Sequence, residues 1–274
     1  MVLMAELPEI SKFAKQMNET FKGKKIASLE VVQEKCINVP VKEFSDRITN
    51  AEIFGARYKG KWMIIHLKNG ENILISVGMG GDILYYEDPA KASEKYQIKV
   101  SFSDDTGFTI KYWWFGKFLI CDDNSLDNEP NTGKIGMDPF DDDFTYEYFR
   151  SLFKGKGQVK AFILDQKNIG GIGNMYAHDI FFKAKIHPQK KIADMTEENS
   201  RALYDSIISV LRYSESKGAF SYEGDIFGEK GAFTIDDLLA GYREGKPCPE
   251  CGSPIVQIKT GGTSSFICEK CQML

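Results

Sequence analysis

The chain has 274 residues, 42% hydrophobic, 12% aromatic and 27% charged, enough for one large domain or two ordinary ones with a real core. Its 35 Lys+Arg and 39 Asp+Glu leave a net charge of −4, which by itself argues weakly against a nucleic-acid partner. No run approaches the ~18 apolar residues of a membrane span, and the N-terminal Met1–Glu6 lacks the basic and apolar regions of a secretory signal.

The first helix is expected from Pro8, with Ile10, Phe13, Ala14, Met17 and Phe21 at helical spacing and Gly23 as its stop. A β-rich stretch is expected to about residue 121, through Lys25–Val32, Ala51–Tyr58, Lys61–Leu67, Ile73–Val77, Ile83–Tyr86, Tyr96–Phe102 and Phe108–Cys121. Asn69-Gly70 between two apolar runs signals a hairpin, and the regular turns suggest a sandwich. Residues 122–143 are acidic and turn-rich, a linker in composition; Asp141-Asp142-Asp143 reads as a solvated cap before a helix over Phe144–Phe153. The pattern stays helical to about residue 217, with Thr196 capping a helix that carries Leu203, Ile207 and Leu211, and Gly218 ending it. His66 reads as strand packing, and His178 and His187 as structural.

Charge is distributed in blocks. Residues 1–70 carry net +4, 71–150 net −9, 151–191 net +6, 192–240 net −6 and 241–274 net +1. The basic blocks are the ones able to line a polyanion.

Two segments carry chemistry. Cys248-x2-Cys251-x16-Cys268-x2-Cys271 has the spacing of a four-cysteine zinc site. Without a secretion signal, a reduced cytosol favours one structural zinc ion over disulfides. Four thiolates leave no open position for substrate, so the finger is a rigid hairpin presenting Lys259–Ser265. The second segment is Ile169-Gly-Gly-Ile-Gly-Asn-Met-Tyr-Ala-His178. Its glycines permit close backbone approach, and the helix opening at Gly173-Asn174 offers free N–H groups to a phosphate. On its own the segment reads first as a tight helix–helix turn and only second as a phosphate site.

Together the motifs resemble the formamidopyrimidine-DNA glycosylase / endonuclease VIII family, nearly end to end and in order. Ala5-Glu-Leu-Pro-Glu9 resembles that family's Pro-Glu-Leu-Pro-Glu opening. Lys61-Trp-Met-Ile-Ile-His-Leu67 resembles its lysine-led strand, Val77-Gly-Met-Gly-Gly81 its Leu-Gly-Met-Ser-Gly loop, and Ile135-Gly-Met-Asp-Pro139 its Leu-Gly-Pro-Glu-Pro. Leu164-Asp-Gln166 through His187-Pro188 is similar to its helix–two-turns–helix, and the cysteine finger closes the chain. The resemblance implies a two-domain α+β protein: an N-terminal helix and β-sandwich over 1–122, a linker over 123–143, a helical helix–two-turns–helix domain over 144–240 and the finger over 241–274.

It also implies double-stranded DNA with a damaged base or abasic site as partner, bound by a monomer. The expected activity is DNA glycosylase with abasic-site lyase chemistry in base excision repair. Localisation would be cytoplasmic, nucleoid-associated if bacterial. A damaged base is flipped out, an amine attacks the sugar C1′ to form a Schiff base, and β-elimination follows. Residue by residue, Glu6 resembles the family's acid/base carboxylate and Lys61 its strand lysine at a DNA phosphate. Asn174 matches a phosphate ligand, Lys160 a lysine upstream of it, and Met79 the residue that fills the gap left by the flipped base.

Three positions depart from the pattern. Ala5 replaces the nucleophilic proline. A chain that begins at Met4 and loses it exposes Ala5 as a primary amine; a chain that begins at Met1 makes that nitrogen an amide, and Lys61 becomes the substitute amine if burial lowers its pKa. Trp114 replaces a gap-filling arginine before Phe115-Gly116, where an indole stacks but does not donate as a guanidinium does; the alternative is a buried sandwich aromatic. Thr263 replaces the finger's arginine, giving a neutral hydrogen bond for a bidentate clamp, with Lys259 nearby to share the grip. These departures motivate a second reading, a protein that binds damaged DNA without cleaving it. A third, a zinc ribbon acting on RNA or protein, explains only the tail.

Overall fold

The computed structural model describes residues 4–219 and 224–274. The chain divides into two compact units, Met1–Lys134 with Gly218–Ala232 and Ile135–Lys217 with Phe233–Leu274.

The first unit opens with helix α1 (Leu7–Phe21), whose Leu7, Ile10, Phe13, Ala14, Met17 and Phe21 are buried, the face its spacing predicts. Gly23, at φ +84°, ends it in the left-handed conformation that glycine adopts without strain. Eight strands follow: β1 (Ile26–Val31), β2 (Ile53–Lys59), β3 (Trp62–Leu67), β4 (Glu71–Ser76), β5 (Asp82–Tyr86), β6 (Ile98–Phe102), β7 (Gly107–Lys111) and β8 (Lys117–Asp122). They form two antiparallel sheets, ordered β1-β6-β7-β5 and β2-β3-β4-β8. The core lies between them, built from Met17, Phe21, Ile65, Ile75, Phe102, Phe108 and Phe118 among others. Strand β6 alternates buried and half-buried residues, as a sheet with one solvated face should. Strand β4 is buried at four consecutive positions, because Ile64, Leu74 and Leu119 make a second apolar cluster on its outer face.

The sandwich is as expected, with two local differences. The stretch over Phe108–Cys121 is two strands, β7 and β8, separated by a loop at Tyr112–Gly116. A short helix, α2 (Val41–Ile48), interrupts the β-rich stretch. It buries only Phe44 and Ile48, four residues apart, and Phe44 stacks on Phe118 at 5.1 Å. The later segment returns to this unit: the backbone N–H of Tyr85 donates to Ile226 O at 2.7 Å, and Asp225 accepts from Lys12 at 3.0 Å and Gln16 at 2.8 Å.

The second unit holds α3 (Tyr146–Ser151), α4 (Val159–Leu164), α5 (Asn174–Lys183) and α6 (Glu197–Ser216), followed by the hairpin β9 (Val256–Thr260) and β10 (Thr263–Ile267). Thr145, not the aspartate triplet, caps α3: its hydroxyl accepts from Tyr148 N at 3.2 Å. Thr196 caps α6 as expected, accepting from Asn199 N at 3.1 Å, and Gly218 follows its end at φ +75°. Helix α5 is the unit's buried centre; every residue from Met175 to Phe182 is buried. No described helix is long and apolar enough to cross a membrane.

Candidate active site and nucleic-acid interface

In the first unit, the N-terminus, the lysine strand and two loops meet. Ala5 and Glu6 are 3% and 2% exposed. Glu6 is the N-cap of α1 in a capping box with Glu9; Glu9 Oε2 accepts from Glu6 N at 3.0 Å. A carboxylate held there lies at the positive end of the helix dipole, which stabilises its charged form. The backbone of Met4 pairs antiparallel with Met79, and Met79 pairs in turn with Trp114. The Met79 N–H donates to Trp114 O at 2.9 Å, and the Trp114 N–H returns a bond to Met79 O at 3.3 Å. Lys61 Nζ stands 4.0 Å from Met4 Sδ. Ala5, Glu6, Lys61, Met79 and Trp114, far apart in sequence, thus sit around one short ladder.

Glycine makes that ladder possible. Gly78, at φ +64°, approaches so closely that a Cβ there would lie 2.1 Å from Trp114 O, and one on Gly116 would lie 1.9 Å from the Tyr112 ring. Tyr112 is fixed by Gln97, whose Oε1 accepts from Tyr112 N at 2.6 Å, and by its own hydroxyl, which donates to Lys117 O at 3.0 Å. This frame holds three consecutive aromatic residues in solvent: Trp113, Trp114 and Phe115 are 66%, 60% and 73% exposed. The alternative of a buried sandwich aromatic at Trp114 therefore falls away. Trp113 and Phe115 were not singled out by sequence reasoning. Their signal was the unbroken aromatic run itself, too long for one face of a strand.

In the second unit, the glycine segment is clamped from two sides. Gln166 Oε1 accepts from Gly171 N at 2.9 Å and its Nε2 donates to Ile172 O at 2.8 Å. Gly136 lies against the same turn: its N–H donates to Gln166 O at 2.8 Å, and a Cβ there would sit 2.6 Å from the carbonyls of Lys167 and Asn168. This contact explains the Ile135-Gly-Met motif. The turn delivers Asn174 to the first position of α5.

Lys160, on α4, is only 3% exposed, and its ammonium donates to Ser264 O at 2.6 Å and Ser265 Oγ at 2.8 Å. Burial without a carboxylate partner among the described residues pulls its pKa down to about 8. Its contacts are therefore with strand β10. Lys259 and Thr263 flank the exposed tip of the hairpin, and Gln189 Nε2 donates to Lys259 O at 3.0 Å.

The four cysteine sulfurs lie within 4.8 Å of one another, with Cys248–Cys271 at 3.9 Å and Cys251–Cys268 at 3.4 Å. Tetrahedral zinc with bonds of ~2.3 Å places its sulfurs about 3.8 Å apart, so the donor set fits that ion. Two further anchors hold this end of the unit. Gln272, fully buried, accepts from Cys268 N at 3.0 Å and donates to Ile186 O at 3.1 Å. Asp179 accepts from the backbone of Leu239 at 2.7 Å and of Ala240 and Gly241 at 2.9 Å each.

A two-sheet sandwich opened by a buried carboxylate on its first helix, with a helical unit closed by a four-thiolate hairpin, defines an α+β zinc-finger protein. Residues 4–113 match the formamidopyrimidine-DNA glycosylase N-terminal domain, 135–223 its H2TH domain, and 245–272 the zinc finger found in FPG and IleRS. The formamidopyrimidine-DNA glycosylases of Desulforamulus reducens and Streptococcus pneumoniae are each 30% identical to the chain, over 98% of it and 99% of their own length. Among solved structures, Lactococcus lactis Fpg in complex with abasic-site DNA aligns with TM-score 0.89 at 25% identity, covering 98% of this chain and all of that one. The same enzyme with DNA containing N7-benzyl-Fapy-dG aligns with TM-score 0.88. The chain belongs to the formamidopyrimidine-DNA glycosylase / endonuclease VIII family.

Proposed function

We propose that the protein is a DNA glycosylase that removes oxidised or otherwise damaged bases and then cleaves the abasic strand by β-elimination. The observation that carries this reading is the position of Ala5: buried and directly before the Glu6 cap of α1.

In a chain whose first residue is Ala5, that nitrogen is a primary amine. An α-amine with an ordinary pKa of about 7.7–8.0 is partly free base at neutral pH. It attacks C1′ of the flipped nucleotide, the glycosidic bond breaks, and the base leaves with the bonding pair and a proton. Opening of the sugar gives the imine. Loss of a C2′ proton then expels the 3′ phosphate. Glu6 is the carboxylate placed to move these protons, and Lys61 the cation that steadies a nearby phosphate. Trp114 and Met79 fill the gap in the stack, with Trp113 and Phe115 beside them. Lys160, Asn174, Lys259 and Thr263 belong to the unit that grips the backbone, the last two on a hairpin held by one structural zinc ion.

The exposed Trp113, Trp114 and Phe115 also fit a second reading, for a chain in which a residue still precedes Ala5. There the Ala5 nitrogen is an amide, and the exposed aromatics still serve a protein that binds damaged DNA without cutting it.

Borohydride reduction of the protein mixed with abasic-site DNA separates these. A cross-link mapped to Ala5 is expected. A cross-link at Lys61 or Met1 would mean a different nucleophile. Tight abasic-site binding with no cross-link would overturn the lyase and leave the binder.

A further inference from the structure

His178 stands four residues after Asn174, on the same face of α5. It is 2% exposed, and its ring lies edge-on between Tyr242 and Phe266, with centroids 5.5 and 5.1 Å away. Burial, and after it the charge of Lys160, pushes its pKa down to about 3, so the ring is neutral at physiological pH. A neutral imidazole carries one N–H and one lone pair.

The backbone decides which nitrogen is which. Phe266 N, on strand β10, is 3.4 Å from His178 Nδ1, and a backbone N–H only donates. Nδ1 is then the acceptor and Nε2 bears the hydrogen. Nε2 lies 3.3 Å from the Asn174 side-chain nitrogen, which sets two donors face to face, while Asn174 Oδ1 is buried with no partner. A carboxamide has the same shape either way round. Turned end for end, it offers its oxygen to Nε2–H and leaves an NH2 in the unpartnered place. A donor shut away from water without an acceptor is costly, and an anion relieves that cost.

We propose that His178 is a positioning residue for DNA binding: its Nε2–H holds the Asn174 oxygen, committing the Asn174 NH2 to a backbone phosphate. This rests on the DNA reading given above. Strand β10 is then the common anchor of the buried Lys160 ammonium and of Asn174. Ser264 and Ser265 hold Lys160, and the next residue, Phe266, holds the ring that orients Asn174.

The test is binding of the zinc-loaded protein to a duplex with a stable abasic-site analogue, across a NaCl series. Asn174→Ala and His178→Phe should each weaken binding about tenfold, as expected for a lost hydrogen bond to a charged group. Neither variant removes a charge, so the salt slope should stay at the wild-type value while the affinity falls at every salt concentration. The double variant should be no weaker than either single one. His178→Gln, which offers both an acceptor and a donor, should recover most of the loss. Ring 15N shifts of the unmodified protein should show the Nε2–H tautomer, a readout independent of how His178→Phe folds. Normal binding by His178→Phe alongside weak binding by Asn174→Ala would overturn the positioning role and leave the phosphate role standing. Normal binding by Asn174→Ala would remove both. An Nδ1–H tautomer would overturn the wiring whatever the affinities.

Discussion

Trp114 presents the sharpest choice at the scale of single residues. Its side chain is mostly in solvent, so the folded protein gains little from it, while its backbone is tied to Met79 by two hydrogen bonds. Trp114→Ala should therefore leave the melting temperature within about a degree or two, since exposed substitutions stay within ~0.5 kcal/mol. It should weaken binding to DNA with a base gap by about 1–3 kcal/mol, the usual worth of one aromatic stacking surface. Gly78→Ala is the contrasting variant. Its new methyl would press on Trp114 O at a backbone angle that L-residues avoid, so it should lower both stability and gap binding. Thermal melts beside titrations on gapped and intact duplexes check both. Equal affinity of Trp114→Ala for the two duplexes, at wild-type strength, would exclude the stacking role. Asp179→Ala belongs to the same scale. It strips three backbone N–H groups of their buried acceptor and should cost at least about 3 kcal/mol, read by chemical denaturation.

Among elements, the zinc hairpin was the most legible and α2 the least. Cysteine spacing is set by coordination geometry, which sequence distance reports directly; the four sulfurs converge as expected. Helix α1 and the Thr196 cap were legible for a similar reason, because each rests on local periodicity or a single side-chain bond. Helix α2 was not, since eight residues with two buried side chains make too short a period to stand out within a β-rich stretch. The exposed aromatic loop hid for the opposite reason. Its conformation depends on Gly78 and Gln97, both outside it in sequence, as well as on its own Gly116, and nothing local announces that three large rings will face solvent. The hairpin's own role gives a prediction: Cys251→Ser, or chelation of the wild type, should release zinc and abolish DNA binding together. Strand β10 should lose exchange protection at the same time, because Lys160 and Gln272 anchor an element that needs the ion to hold its shape. Metal analysis, electrophoretic binding and hydrogen exchange measure the three. Intact binding in the zinc-free variant would contradict the finger's assignment.

At the scale of the whole molecule, the net charge of −4 conceals a basic block over 151–191 that contains Lys160 and Asn174, and within it two groups whose burial sets how stability depends on pH. His178 has its pKa lowered to about 3 in the folded protein, against an ordinary 6.5. Between those values the unfolded chain binds the proton and the folded one does not, so stability rises with pH. The contribution is fully present above about 6.5 and is lost as pH falls toward 3, at up to about 1.4 kcal/mol per unit. Lys160, lowered to about 8, has the same sign in a higher window: the unfolded chain holds its proton longer, so stability rises again from about pH 8 toward 10.5. At neutral pH the protein thus carries the cost of a buried ammonium, offset by its bonds to Ser264 and Ser265. Exposed carboxylates add acid sensitivity of the same sign as His178, so the comparison must be differential. The stability difference between wild type and His178→Phe, followed through exchange of α5 and β10 amides, should shrink steadily from pH 6.5 to 4.5. A constant difference over that range would mean that the ring takes up its proton without leaving its place, and that the neutral wire from Phe266 to Asn174 is not what holds it there.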